Sequence, residues 1–261
     1  MARISKKRAG VLALAVVMVA AAAVFVWRAG RPEQAAGGQT VTEREEQGVT
    51  YQEYYADAGE ETLLLTAQWE TPELTGASDQ AAGPIQDYYE TWRQQRQEEL
   101  EQLREQAQAQ QQTNAGFQPY FWEETYEIAR QDGAVVSVLR TSLTYTGGAN
   151  AQTVWQADNF DGQTGAVLTL DALLVDEDSR ARLFALAAEE IAAQRAEGLA
   201  FYDGAETQAQ AIHRSDNFYF TEQGLVLFFP VYDLAPFTEG PVRLTLPYET
   251  LYDIVKEEYL K

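Results

Sequence analysis

The chain has 261 residues, with 19 Lys+Arg, 40 Asp+Glu, one His and no Cys, giving a formal net charge of −21. Without cysteine there is no disulfide framework, no lipid attachment through an N-terminal Cys and no thiolate metal site, so the folded part must stand on its hydrophobic core. Acidity of this strength repels nucleic acid, which is not expected as a partner, and attracts cations or basic proteins.

Residues 11–27 form an unbroken apolar run behind Arg3, Lys6, Lys7 and Arg8. As a helix at 1.5 Å per residue the run covers about 26 Å, enough to cross a hydrocarbon core with little tilt. Positive charge on its short side predicts a cytoplasmic stub at 1–10, a transmembrane signal anchor at 11–28 and an extracytoplasmic remainder, hence a single-pass protein of the cell membrane. The competing reading is a cleaved secretory signal and a secreted protein, since Ala20 to Ala23 resemble a cleavage region. Against it, Val24, Phe25, Val26 and Trp27 continue the run, and Arg28 and Arg31 follow it. From Glu33 onward, past the anchor and its flanks, lie 13 of the 19 basic residues and all 40 acids, a formal charge of −27.

Residues 29–48 are rich in Gly, Gln, Glu and Thr and are expected as a flexible tether. Strands are predicted at 49–55 and 62–69, then a loop at 72–83. Pro84 is expected to open a long helix whose apolar stripe is Ile85, Tyr88, Tyr89, Trp92, Leu100 and Leu103 and whose Gln/Glu/Arg-rich far half is solvated. Asp132-Gly133 between 120–131 and 134–145 signals a hairpin, with Val135, Leu139, Leu143 and Tyr145 on one face of a central strand and Val136 and Val138 on the other. Strands at 153–160 and 166–170 flank a turn at 162–165. A helix follows with Ser179 as cap and Gly198 at its end, then a short one at 205–212. A hairpin at 217–221 and 225–229, a strand at 242–246 and a terminal helix after Pro247 complete the pattern. Hairpins and helices without a βαβ rhythm predict an α+β fold of antiparallel sheets with packed helices, preceded by one transmembrane helix. The ectodomain divides into an N-terminal α+β part at 49–146 and a C-terminal α+β domain at 147–261.

His213 is the only histidine, so a zinc site of several His or Cys ligands cannot be assembled; no metal and no cofactor are expected. A Ser-His-Asp triad would need His213, and no Gly-x-Ser-x-Gly turn presents a serine; a surface or helix-end histidine is expected instead. Paired carboxylates suffice for glycoside hydrolysis, but among 40 acids the presence of pairs carries little information. Asp158, Asp161 and Gly162 hold part of a calcium-loop pattern without its alternating oxygens and closing glutamate, and are expected as a turn. Two segments suggest contact loops. One is Tyr145, Gly147, Gly148 and Asn150, where the glycines equally suit a bulge and Tyr145 the core. The other is the connection at 230–241, with three prolines and aromatic side chains where a polar link is usual; Pro230, Tyr232, Pro236, Phe237 and Glu239 are its candidate contact residues. The alternative is a loop packed on itself over the sheet edge.

Three blocks carry a resemblance: Tyr145-Thr146-Gly147-Gly148-Ala149; Asn159-Phe160-Asp161 through Thr164-Gly165 to Leu168-Thr169-Leu170-Asp171; and Asn217-Phe218-Tyr219 through the 230–241 loop to Pro247-Tyr248. In order and spacing they resemble the extracytoplasmic domain of RsiV-type anti-sigma factors and the non-catalytic module of PdaC-type peptidoglycan deacetylases. The resemblance implies a membrane-tethered module outside a Gram-positive cell, of antiparallel sheet and packed helices, and in the anti-sigma members a receptor for lysozyme. Two departures stand beside it. Asn150 replaces the histidine common after Gly-Gly-Ala, and only ten residues precede the apolar run, so a sigma-factor partner is not expected. Nor does a metal-binding catalytic domain follow Tyr248.

The resulting expectation is a membrane-anchored, non-enzymatic binding domain recognising a cationic protein such as lysozyme, or a cell-wall component. Its alternatives are a metal-independent peptidoglycan-acting enzyme using two carboxylates and a purely structural cell-envelope module.

Overall fold

Strand-to-strand pairing in chain order builds most of a seven-stranded sheet in the computed structural model, which describes residues 33–35, 39–57, 59–74 and 78–260. The anchor and the stub lie outside the described residues; among those described, no helix is long and apolar enough to cross a membrane. The sheet runs β1 (Glu33–Ala35), β2 (Gln39–Glu46), β3 (Val49–Tyr55), β4 (Leu63–Glu70), β5 (Tyr120–Gln131), β6 (Val135–Tyr145) and β7 (Gln152–Asp161), each beside the next.

The segment expected as tether is partly sheet. Gln47 and Gly48 both take positive φ, 55° and 81°, as a two-residue hairpin turn requires, and Glu46 pairs with Val49. Thr40, Val41 and Thr42 supply the β-branched residues, and the exposed far half of the strand hides its alternation.

The loop expected at 72–83 ends early, because Ser78 caps helix α1 (Asp79–Thr113) by accepting the Ala81 N–H at 3.1 Å. Pro84 therefore lies inside the helix, where its missing N–H is the one that would bond the Gln80 carbonyl. The helix crosses between β4 and β5, which consequently pair in parallel: a βαβ unit interrupts the antiparallel pattern. Ala81, Ile85, Tyr89, Trp92, Leu100 and Ala107 of α1 bury against Leu65, Ala67, Trp122, Val136, Val138 and Phe160.

The opposite face of the large sheet meets a second sheet, β10-β9-β8, made of β8 (Phe218–Phe220), β9 (Gly224–Phe229) and β10 (Val242–Pro247). Leu139, Tyr219, Val226 and Phe228 form that contact, with Trp155 packed on Phe228. Ser137 Oγ donates to Asn159 Oδ1 at 2.6 Å, Asn159 Nδ2 donates to the Phe218 carbonyl at 2.7 Å, and Ser137 Oγ accepts the Phe220 N–H at 2.9 Å. Placing residues 147 onward in a separate C-terminal domain overlooks β7, which completes the large sheet on β6. At Gly224 a Cβ would fall 2.1 Å from the Leu246 carbonyl oxygen, so the strands approach too closely for any side chain there.

Helices α2 (Leu170–Leu173), α3 (Ser179–Glu197) and α4 (Ala205–Ile212) cover the second sheet through Leu183, Phe184, Ala187, Ile191 and Ala209. Ser179 is the first helical residue, after Asp178, and Gly198 ends the helix at φ 110°. No strand forms at 166–170, where only an isolated bridge joins Val167 to Phe160. The terminal helix is absent too. Backbone donors of Val175 and Lys256 instead bond the carbonyls of Ile254 and Leu173, so Leu251, Ile254 and Val255 bury from an irregular segment between two 3₁₀ turns.

Candidate functional site

The 230–241 connection is a rigid loop with two exposed rings. Leu234 and Ala235 are buried, and the Leu234 carbonyl accepts the Tyr202 N–H at 2.9 Å. Tight bonds from Asp233 N–H to the Pro230 carbonyl and from Glu239 N–H to the Pro236 carbonyl shape its two bends. Held this way, Tyr232 and Phe237 stack outside the fold, ring centroids 5.7 Å apart and planes at 28°, with 62 % and 51 % of their surface exposed. Tyr232 reaches that position only through a left-handed backbone, φ 72°, which bulky L-residues rarely adopt. Pro230 and Pro236 are half-buried and Glu239 is exposed. Burial pushes the Asp233 carboxyl pKa up, while Arg214 opposes the shift.

The other predicted segment is the β6–β7 connection. Gly147 and Gly148 have φ of 87° and 116° with open space around them, so they are required for conformation, not for close approach. Tyr145 is half-buried and its hydroxyl donates to the Gly148 carbonyl at 3.3 Å; Asn150 is exposed. No hydrogen bond, ion pair or ring contact among the described residues joins this connection to the 230–241 loop.

Sequence reasoning missed a third feature, a charged cluster beneath a groove between α1 and the β6–β7 face. Arg140 donates to Glu124 Oε1 at 2.7 Å and to both Asp158 oxygens at 2.7 and 3.2 Å, all three side chains being buried. The hydroxyls of Tyr88 and Tyr89 donate to Asp158 at 2.6 and 3.2 Å. Burial works against the charge of Arg140, but Asp158 and then Glu124 outweigh it and raise the guanidinium pKa above its ordinary value. Burial, and then Asp158, push the phenols of Tyr88 and Tyr89 upward. Beside the cluster Arg96 lies over the Trp122 ring at 4.8 Å and pairs with Glu99 and, at 3.6 Å, with Glu124. Above these groups run two contiguous hollows, about 430 and 370 Å³, that share Arg96, Glu99 and Gln156. The signal for this feature was the register that sets Arg140 opposite Gln156, beside Asp158 on the same face.

His213 ends α4 and is buried between Phe184 and Phe229, with ring centroids at 5.3 and 5.2 Å. Its Nε2–H donates to the Asn217 carbonyl at 2.8 Å, and desolvation lowers its pKa to about 4, so the ring is neutral at physiological pH. Asp161 accepts the Gln163 and Thr164 N–H groups and the Thr164 hydroxyl, the turn role expected of it. Among the described residues no group of three or more His, Cys, Asp or Glu is placed to hold a metal.

A family model described as "Deacetylase PdaC" matches residues 59–153, and one described as "Protein of unknown function (DUF3298)" matches residues 171–249. The first spans Tyr145 to Asn150 and the second spans the 230–241 loop. These two matches agree with the PdaC part of the resemblance read from the three sequence blocks. No curated protein matches. Among solved structures, a DUF3298 family member from Bacteroides fragilis NCTC 9343 is 16 % identical with a TM-score of 0.49, covering 88 % of this chain and 95 % of its own. A DUF3298 family protein from Pseudomonas aeruginosa PAO1 is 22 % identical with a TM-score of 0.44, covering 59 % and 70 %.

Proposed function

We propose that this chain is a membrane-anchored, non-enzymatic extracytoplasmic binding domain whose ligand is a cationic wall-acting protein of the lysozyme kind, met at the 230–241 loop. The observation that carries the reading is the stacked Tyr232–Phe237 pair, exposed and held in a strained conformation by buried neighbours. Exposed aromatics on a rigid loop offer contact area with little ordering cost, and strain at such a residue is a pointer to function. The −27 charge from Glu33 onward supports a cationic ligand and steers its approach. An enzyme using two carboxylates draws little support: the buried pair Glu124 and Asp158 is engaged by Arg140, and the raised pKa of Asp233 comes from burial, with no acid among the described residues contributing to it.

The test is surface plasmon resonance of the full chain in detergent micelles with hen lysozyme over a salt series. Binding that weakens with salt but persists at 0.15 M, and falls about tenfold in Tyr232→Ala or Phe237→Ala, about 1.4 kcal/mol, is the expected result. Absence of binding at low salt, or indifference to both substitutions, refutes the assignment and leaves the structural envelope module.

A further inference from the structure

The large sheet ends in an open edge. In the antiparallel pairing of β6 with β7, Gly162 N–H bonds the Ala134 carbonyl, which makes even-numbered residues of β7 the ones bonded to β6. Odd-numbered residues accordingly turn their N–H and C=O outward. Asp161 N–H on the Ala166 carbonyl and the Asn159 carbonyl on Leu168 N–H confirm this at one end of the strand. At the other end the six outward groups of Thr153, Trp155 and Ala157 meet no described residue. The usual devices that blunt an edge are missing there, since residues 152–157 contain no charge, no proline and no bulge. On a chain this acidic, an uncharged edge is a departure from its surroundings.

The groove lies directly alongside. Val154 and Gln156 point from β7 into it, and Val154 is 51 % exposed. Its charge is negative: Asp87 and Glu99 at the rim and Glu124 and Asp158 below are opposed by Arg96 and Arg140 alone. On the sheet's other face the half-buried Trp155 lies beneath Arg243, whose guanidinium carbon is 4.1 Å from the ring centroid. A strand added to β7 would turn alternate side chains to these two faces. Those on the α1 face meet carboxylates; those on the other meet an indole and a cation, which disfavours a second cation.

We infer that the β7 edge and the adjoining groove form a strand-addition site for an extended peptide segment with alternating basic and apolar side chains. Backbone bonds to Thr153, Trp155 and Ala157 supply affinity, and the groove and Trp155 supply selectivity. The site is separate from the aromatic loop and does not rest on the lysozyme reading.

Fluorescence anisotropy of a labelled Lys-Val-Lys-Val-Lys-Val-Lys peptide, titrated with the full chain in detergent micelles, tests it. Ala157→Pro removes an outward N–H without touching the bonds to β6 and is expected to weaken binding at least tenfold. A second probe, the same peptide N-methylated at every residue, keeps the charge but can donate a backbone hydrogen bond on neither edge, and its failure to bind is the matching expectation. Equal binding by the N-methylated peptide reduces the contact to charge attraction and overturns the proposal, whether or not the proline variant folds. A concentration-dependent dimer that Ala157→Pro dissolves would assign the edge to a second copy and overturn it as well.

Discussion

The buried ring of His213 should make this protein less stable in acid. His213 titrates near 6.5 when exposed and at about 4 in the fold, where desolvation between Phe184 and Phe229 penalises the imidazolium. Because the folded value is the lower one, the unfolded chain binds more protons between the two. The stability contribution is therefore complete above about pH 6.5 and drains away as the pH falls toward 4. Over the full shift the loss is about 3 kcal/mol, of which about 2.5 kcal/mol falls between pH 7.5 and 4.5. Other groups titrate in the same range, so the comparison is with His213→Gln, whose amide can still donate to the Asn217 carbonyl but carries no proton. Urea denaturation of both proteins at half-unit pH steps yields the difference in unfolding free energy at each pH. That difference should move against the histidine protein by about 2.5 kcal/mol on going from pH 7.5 to 4.5. A difference flat to about 0.5 kcal/mol would show that His213 is solvated or paired when charged, and would refute the burial argument.

Two further substitutions probe the other features. Arg140→Met leaves Glu124 and Asp158 buried without their Arg140 partner and should cost about 3–5 kcal/mol by chemical denaturation. Tyr232→Gly should raise the unfolding free energy by about 1 kcal/mol, because it releases a left-handed tyrosine, while weakening lysozyme capture about tenfold on the same sample. A drop in stability there would mean that the stack on Phe237 outweighs the backbone strain.

Local signals carried much of the fold. The hairpin turn at Asp132-Gly133 and the bounds of β3, β5 and α4 were legible because turn residues and apolar spacing act within a few residues. What escaped depends on partners distant in the chain. The strand β2 is mostly solvated and shows its nature only in register with β3, and the parallel crossover exists because α1 returns the chain beside β4. The apolar spacing of Leu251, Ile254 and Val255 mimics a helix, yet backbone bonds to residues 173–175 prevent one. At the site, proline and aromatic content pointed to Tyr232 and Phe237, whereas the positive φ that aims Tyr232 outward has no sequence signature. The Arg140 cluster was hidden by abundance: with 40 acids, which two share an arginine is decided by sheet register alone.

That dependence also runs in the other direction. If β7 slipped by one residue against β6, every β7 side chain would change face, and Asp158 would leave Arg140 for the apolar layer around Leu139 and Phe228. Asp158 would then be a buried carboxylate without its cation and Arg140 would keep Glu124 alone, while Asn159 would lose both Ser137 and the Phe218 carbonyl. Apolar contacts tolerate small errors of alignment; these polar ones do not. The cluster therefore penalises a misaligned pairing of β6 with β7, at the strand whose outer edge is left open.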